Sequence, residues 1–188
     1  MKKFRKLLAV LAIAIFTFTA CSIEGQDTKD NSSNTKKEEK AKDGKLKVGV
    51  ALSTLNNPFF VSIREGVEEA AKDKDVETVI TDAQNDSSSQ NNQVEDLITQ
   101  KVDLIIINPV DSTAISSSVK KANEANIPVI CVDRSSDEGE VVSFISSNNI
   151  EGGKLAGEFI LEKAGKDAKV IQLEGIPGAS STRERGEG

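Results

Sequence analysis

Six consecutive residues, Leu55-Asn56-Asn57-Pro58-Phe59-Phe60, place an aromatic pair beside an amide in a chain with little other aromatic surface. The 188 residues include no Trp and no Tyr, and only four Phe follow residue 20. An aromatic face supplies a flat apolar platform, and the Asn57 carboxamide supplies both donor and acceptor atoms. Together they suit a small polar ligand that also has an apolar face, such as a sugar ring. Phe60 falls in phase with Ile63, Val67, Ala70 and Ala71, so it reads equally as a core residue, whereas Phe59 lies off that stripe.

The adjacent pair Asp133-Arg134 offers complementary chemistry. A carboxylate accepts hydrogen bonds from two neighbouring hydroxyls, and a guanidinium fork donates to a ring oxygen and a hydroxyl, both with charge assistance. The same pair also reads as a solvated start to a loop. Arg183 and Arg185 stand near the last helix start, and spacing does not rank them. Gly175, Gly178 and the Ser pair suggest a phosphate cradle, but the Gly-x-x-x-x-Gly-Lys-Ser/Thr pattern is missing. Asp82, Asp86, Asp103 and Asp111 are scattered rather than spaced as a calcium loop, so no metal site is expected. The sequence has no His, which removes Ser-His-Asp and Cys-His chemistry and the commonest transition-metal ligand. With no convergent acid/base pair either, neither an enzyme nor a cofactor is expected.

From Lys45 onward, short apolar runs alternate with helical patterns, as in βαβ units on a parallel sheet. Strands are predicted over about 47–52, 77–82, 104–108, 128–133 and 141–146. Asn57 is the expected N-cap of the first helix, which runs to about Lys72, with Pro58 at its first position. A polar loop, 83–90, leads to a helix carrying Val94, Leu97 and Ile98. Asp111 or Ser112 is expected to cap the next helix, which shows Ala114, Ile115, Val119 and Ala122. The pattern then restarts: a helix with Leu155, Ala156, Phe159 and Ile160, a strand over 168–174, and a last helix capped by Ser181 or Thr182. In a doubly wound sheet the strand-to-helix loops share the carboxyl edge, where such folds bind ligands. The Asn57, Phe59, Phe60 and Asp133-Arg134 candidates all fall on those loops.

The first 20 residues have a basic start (Lys2, Lys3, Arg5, Lys6), an apolar run over 7–18, and small residues before Cys21. This is a secretion signal whose end resembles a lipobox, with Phe18 in place of the usual Leu. Cys21 is therefore the expected acylated N-terminus. Removing that segment takes 24 basic residues to 20 against 30 acidic, a formal net charge of −10. No basic stripe interleaves with aromatics, so nucleic acid is not an expected partner. An acidic surface likewise argues against adhesion to anionic lipid, leaving acyl chains as the membrane attachment. Residues 22–44 have Ile23 as their one large apolar side chain and read as a flexible tether. The other cysteine, Cys131, lies in an apolar run and is expected to be a small buried hydrophobe.

Four motifs in order carry a family resemblance: Ser53-Thr54-Leu55-Asn56-Asn57-Pro58-Phe59-Phe60, Ile107-Asn108-Pro109, Ala125-Asn126-Ile127-Pro128-Val129 with Asp133-Arg134, and Arg183-Glu184-Arg185-Gly186-Glu187-Gly188. Over 45–188 the chain resembles the D-ribose-binding proteins of ABC importers. The resemblance implies an α/β periplasmic-binding-protein fold, a parallel-sheet lobe with helices on both faces, joined by hinge crossovers to a second lobe. It implies that residues 45–147 form the first lobe, lacking its returning segments, and that 148–188 begin the second. Because the last helix is barely two turns long at Gly188, the chain is expected to be truncated, with its second lobe incomplete. The resemblance further implies that Asn57, Phe59, Phe60, Asp133, Arg134 and Arg185 contact a pentose, with the two Phe stacked on the ring. The implied partners are ribose and the membrane subunits of an ABC permease, at the outer face of the cell membrane. A receptor for allose, galactose or a furanosyl signal molecule, serving transport or chemotaxis, would share this architecture. The effector domain of a sugar-responsive repressor would share it too, but would begin with a basic helix-turn-helix.

Overall fold

The computed structural model describes residues 44–188. The predicted secretion segment, Cys21 and the tether as far as residue 43 lie outside them. The element order is β1 (Lys47–Leu52), α1 (Pro58–Asp73), β2 (Glu77–Asp82), α2 (Ser87–Thr99), β3 (Leu104–Ile107), α3 (Ser116–Glu124), β4 (Val129–Val132), β5 (Ser143–Ile145), α4 (Asn149–Ala164) and α5 (Ser180–Glu187). The five strands form one parallel sheet in the order β2-β1-β3-β4-β5. The chain steps outward from β1 to β2, then crosses back to β3. That reversal opens a crevice beyond the carboxyl ends of β1 and β3.

Successive strand residues point to opposite faces, and each face is covered by helix. On one face Ala51, Ile105, Ile107, Val129 and Cys131 pack with Val94 and Leu97 of α2 and Val119 and Ala122 of α3 in the main core. On the other, Val48, Leu104 and Ile106 line a groove with Ile63, Val67 and Ala70 of α1. A strand covered on both faces has no polar side to show, which is why β1 and β3 read as unbroken apolar runs. Gly49 lies where α2 approaches the sheet most closely, since a Cβ there would stand 2.8 Å from Leu97 Cδ1.

Local capping explains most helix starts. The Asn57 side chain accepts the Phe59 N–H at 3.0 Å, and Pro58 takes the first helical position. Asp86 caps α2 and Asn148 caps α4 in the same way. Two predicted caps are corrected. The Asp111 carboxylate accepts the N–H groups of Thr113 and Ala114, which holds a turn, and α3 begins only at Ser116 with no side-chain cap. Helix α5 begins at Ser180 after Ala179 with no side-chain cap, so Ser181 and Thr182 lie inside its first turn rather than capping it.

The predicted strand over 168–174 is also corrected. These residues form no strand, and Ile171 and Leu173 are 88% and 93% exposed. Apolar character alone does not make a strand, because the ladder needs a neighbour. None lies beside this segment among the described residues. Helix α4 packs instead on α5, and Gly153 permits the approach: a Cβ there would collide with the Arg185 carbonyl. No helix among the described residues is long and apolar enough to cross a membrane.

Candidate functional site

At the carboxyl edge of the sheet, a cavity of about 410 Å³ has Asn57, Phe59, Phe60, Asp133, Arg134 and Arg185 in its wall. The six candidates from three distant segments thus share one space. Asn57, Phe59 and Phe60 come from the loop after β1 and the first turn of α1, Asp133 and Arg134 from the end of β4, and Arg185 from α5.

The two phenylalanines divide the work. Phe60 is 4% exposed and Phe59 is 54% exposed, with ring centroids 5.3 Å apart in an edge-on arrangement. Phe60 therefore serves the core and the cavity floor at once, which accounts for its place on the α1 apolar stripe. Phe59 presents a free face. Asn57 uses its carboxamide oxygen as the helix cap, and its Nδ2 donor forms no hydrogen bond within the described residues.

Arg134 is buried, and burial pulls its guanidinium below the usual arginine range, partly offset by Asp133. A buried charge needs compensation. Nη1 donates to the Pro109 carbonyl at 2.9 Å, Nε lies 3.5 Å from Asp133 Oδ2, and the guanidinium carbon sits 5.2 Å from the Phe60 ring centroid. Buried Nε itself has no hydrogen-bond partner among the described residues. Asp133 has φ +64°, and the next N–H, that of Arg134, returns to the Val132 carbonyl at 2.7 Å. That bond spans a three-residue γ-turn of the uncommon positive-φ kind. It swings the Asp133 carboxylate out of the strand direction, and such strain gathers at ligand sites.

A buried polar network holds these loops together. Ser53 Oγ donates to Asn108 Oδ1 at 2.6 Å, and Asn108 Nδ2 donates to the Val132 carbonyl at 3.0 Å. Asn108 thereby ties the end of β1 to the end of β4. Gln90 flanks Pro109: its Nε2 donates to the Asn108 carbonyl and its Oε1 accepts the Val110 N–H, both at 2.8 Å. Sequence reasoning singled out the Ile107-Asn108-Pro109 motif but gave Asn108 no role, and it passed over Gln90. A polar residue inside an otherwise apolar stretch was the available signal.

The two arginines of α5 separate cleanly. Arg183 pairs with Asp137 at 2.8 Å and donates to the Gly178 carbonyl at 3.0 Å, away from the cavity wall. Arg185 lines the cavity. Ser147, Gly175, Ile176, Ser181 and Thr182 complete the lining; the sequence weighed Gly175 and the Ser pair only as a phosphate cradle, and gave Ser147, Ile176 and Thr182 no ligand role.

The arrangement combines one carboxylate acceptor, two guanidinium donors, an amide donor and an exposed aromatic face. It can bind a small polyhydroxylated molecule. No metal-binding cluster of His, Cys, Asp and Glu occurs among the described residues.

An open parallel sheet of this order, with an aromatic and polar cavity at its carboxyl edge, defines a ligand-binding α/β domain. Residues 48–188 match the periplasmic binding protein domain, and the chain belongs to that family. It is 49% identical over 180 residues to the ribose import binding protein RbsB of Bacillus subtilis, covering 95% of this chain and 57% of that protein. The ribose import binding protein RbsB of Escherichia coli is also 49% identical, over 75% of this chain and 48% of its own length. The Caulobacter myo-inositol binding protein, solved with myo-inositol, superposes with a TM-score of 0.72 at 29% identity over 78% of this chain and 50% of that one. The chain thus spans about half the length of the relatives it matches. These relatives are binding proteins, two of them named for import.

Proposed function

We propose that the intact protein captures D-ribose outside the cytoplasm and delivers it to an ABC permease. The observation that carries this reading is the convergence of Asn57, Phe59, Phe60, Asp133, Arg134 and Arg185 on one cavity. An apolar sugar face stacks on Phe59 and Phe60, Asp133 accepts from hydroxyls, and Arg134 and Arg185 donate to ring and hydroxyl oxygens. Similarity to two ribose import binding proteins supports ribose over other monosaccharides. Residues 45–147 act as the first lobe and 148–188 belong to the second, and the two close on the sugar by hinge motion. Specificity arises because a site built to bond a hydroxyl rejects a sugar that lacks or misplaces it.

Calorimetric titration of the intact protein with D-ribose, D-allose and D-galactose tests this. Ribose is expected to bind at least tenfold more tightly than the other two. No measurable ribose binding, or tighter binding of another sugar, overturns the ribose assignment. Acylated Cys21 holds the protein at the outer membrane face in this reading. A fatty-acid analogue should then label the mature protein, and Cys21→Ala should abolish the label and leave an unprocessed precursor. Normal cleavage to a soluble product in that variant would remove the anchor.

A further inference from the structure

We propose that Ser181 is an additional ligand-contacting residue, whose hydroxyl bonds one hydroxyl group of the bound sugar and so helps set specificity. The inference rests on the sugar-binding reading and deepens it. Three consecutive hydroxyl residues, Ser180, Ser181 and Thr182, form the first turn of α5. Ser180 is committed elsewhere. Its Oγ accepts the Ser135 N–H at 2.9 Å, and its own N–H donates to Ser112 Oγ at 3.2 Å. These bonds lock the start of α5 onto the loop that follows Arg134. Thr182 is close to the 175–178 loop, where a Cβ on Gly175 would stand 2.8 Å from its Oγ1.

Thr182 lines the cavity too, but Ser181 is the more buried of the pair. It is 4% exposed, it lines the same cavity as Asp133 and Arg134, and its hydroxyl has no hydrogen-bond partner among the described residues. Its oxygen is not one of the fully enclosed unpaired atoms, so it stays accessible from the cavity, where a ligand hydroxyl can pair with it. Arg185 lies four residues further along, on the same side of the helix, and lines the cavity as well. Helix α5 therefore presents a hydroxyl and a guanidinium one turn apart. The hydroxyl both donates and accepts, which matches a sugar hydroxyl. Asp133 beside Arg134 offsets one of the two guanidinium charges in the same wall and can itself accept from hydroxyls. The ligand class is a neutral polyol.

The test is calorimetric titration of the intact protein and its Ser181→Ala variant with D-ribose and with its monodeoxy analogues. Alanine is at least as good a helix former as serine, so the variant should fold, with an unchanged melting temperature. Ser181→Ala should weaken ribose binding about three- to tenfold, the range of one hydrogen bond. For one deoxy sugar, the one lacking the partner hydroxyl, variant and parent should bind equally. Unchanged ribose affinity in the variant overturns the proposal, as does an equal loss for every analogue. Failure of the parent protein to bind ribose or any analogue is a distinct result, which refutes the sugar-binding reading itself.

Discussion

The guanidinium of Arg134 lies over the ring of Phe60, 5.2 Å from its centroid, with Nη1 on the Pro109 carbonyl. One buried side chain thus joins the ends of three elements: α1 through Phe60, β3 through Pro109 and β4 through its own backbone. The fork geometry and the planar stack both need guanidinium. Arg134→Lys keeps the charge but neither contact, and should lower stability by about 1–3 kcal/mol in denaturant titration. Arg134→Ala should cost as much or more, because it leaves the Pro109 carbonyl unpaired.

The unequal burial of the two phenylalanines separates affinity from stability. Phe59→Ala should weaken ribose binding more than tenfold while costing no more than about 1 kcal/mol without ligand, since that ring is already half in water. Phe60→Ala should cost about 3–5 kcal/mol, the range for truncating a buried Phe. A large stability loss in Phe59→Ala with unchanged affinity would return that ring to the core.

Arg183 and Arg185 should behave differently despite being two residues apart. Arg183→Ala breaks a solvent-facing pair with Asp137, a change of less than about 1 kcal/mol with little effect on affinity. Arg185→Ala removes a cavity donor and should weaken ribose binding tenfold or more at unchanged melting temperature. Titration of both variants side by side reads the difference.

At Asp133 the backbone constraint and the side-chain role can be pulled apart. Asn adopts positive φ readily, so Asp133→Asn should melt near the parent temperature while losing at least tenfold in ribose affinity. Val at φ +64° is strained, and Asp133→Val should lose about 1–3 kcal/mol of stability in addition.

Burial pushes the Cys131 thiol up from 9.0 to about 11. A thiol with a raised value holds its proton in the folded state where the unfolded chain has already lost it. Its contribution is thus complete below about pH 9 and is lost as pH rises towards 11, by roughly 3 kcal/mol in all. Stability measured from pH 8 to 11 should fall more steeply in the parent than in Cys131→Ala. The thiol should also resist alkylating reagents until the protein unfolds.

Much of the architecture was legible along the chain. Lys47–Leu52 lies where the apolar run predicted it, because a strand covered on both faces carries an apolar signal that needs no partner to be seen, and the edge strand Glu77–Asp82 also falls at its expected bounds. The caps at Asn57 and Asp86 are local, made within three residues, and the predicted Asn57 cap was correct for that reason. Of the residues in the cavity wall, Asn57, Phe59, Phe60, Asp133 and Arg134 were proposed from their chemistry as well as from resemblance to a family, and Arg185 from the resemblance alone.

Tertiary structure decided what depends on residues far apart in sequence. Spacing left Arg183 and Arg185 unranked and only the family resemblance picked Arg185, whereas in the fold Arg183 pairs with Asp137, 46 residues away. Ser181, expected as a cap of the last helix, instead lines the cavity, while Ser180 is held by the Ser135 N–H, 45 residues away. The apolar stretch over 168–174 had the composition of a strand, but pairing is a property of two segments and none of the described residues pairs with this one. Periodicity and caps follow from bonds made within a turn or two, so the sequence carries them. Ladders, buried amide bridges such as Asn108, and the positive φ of Asp133 follow from which distant groups meet, and only the folded chain brings those together.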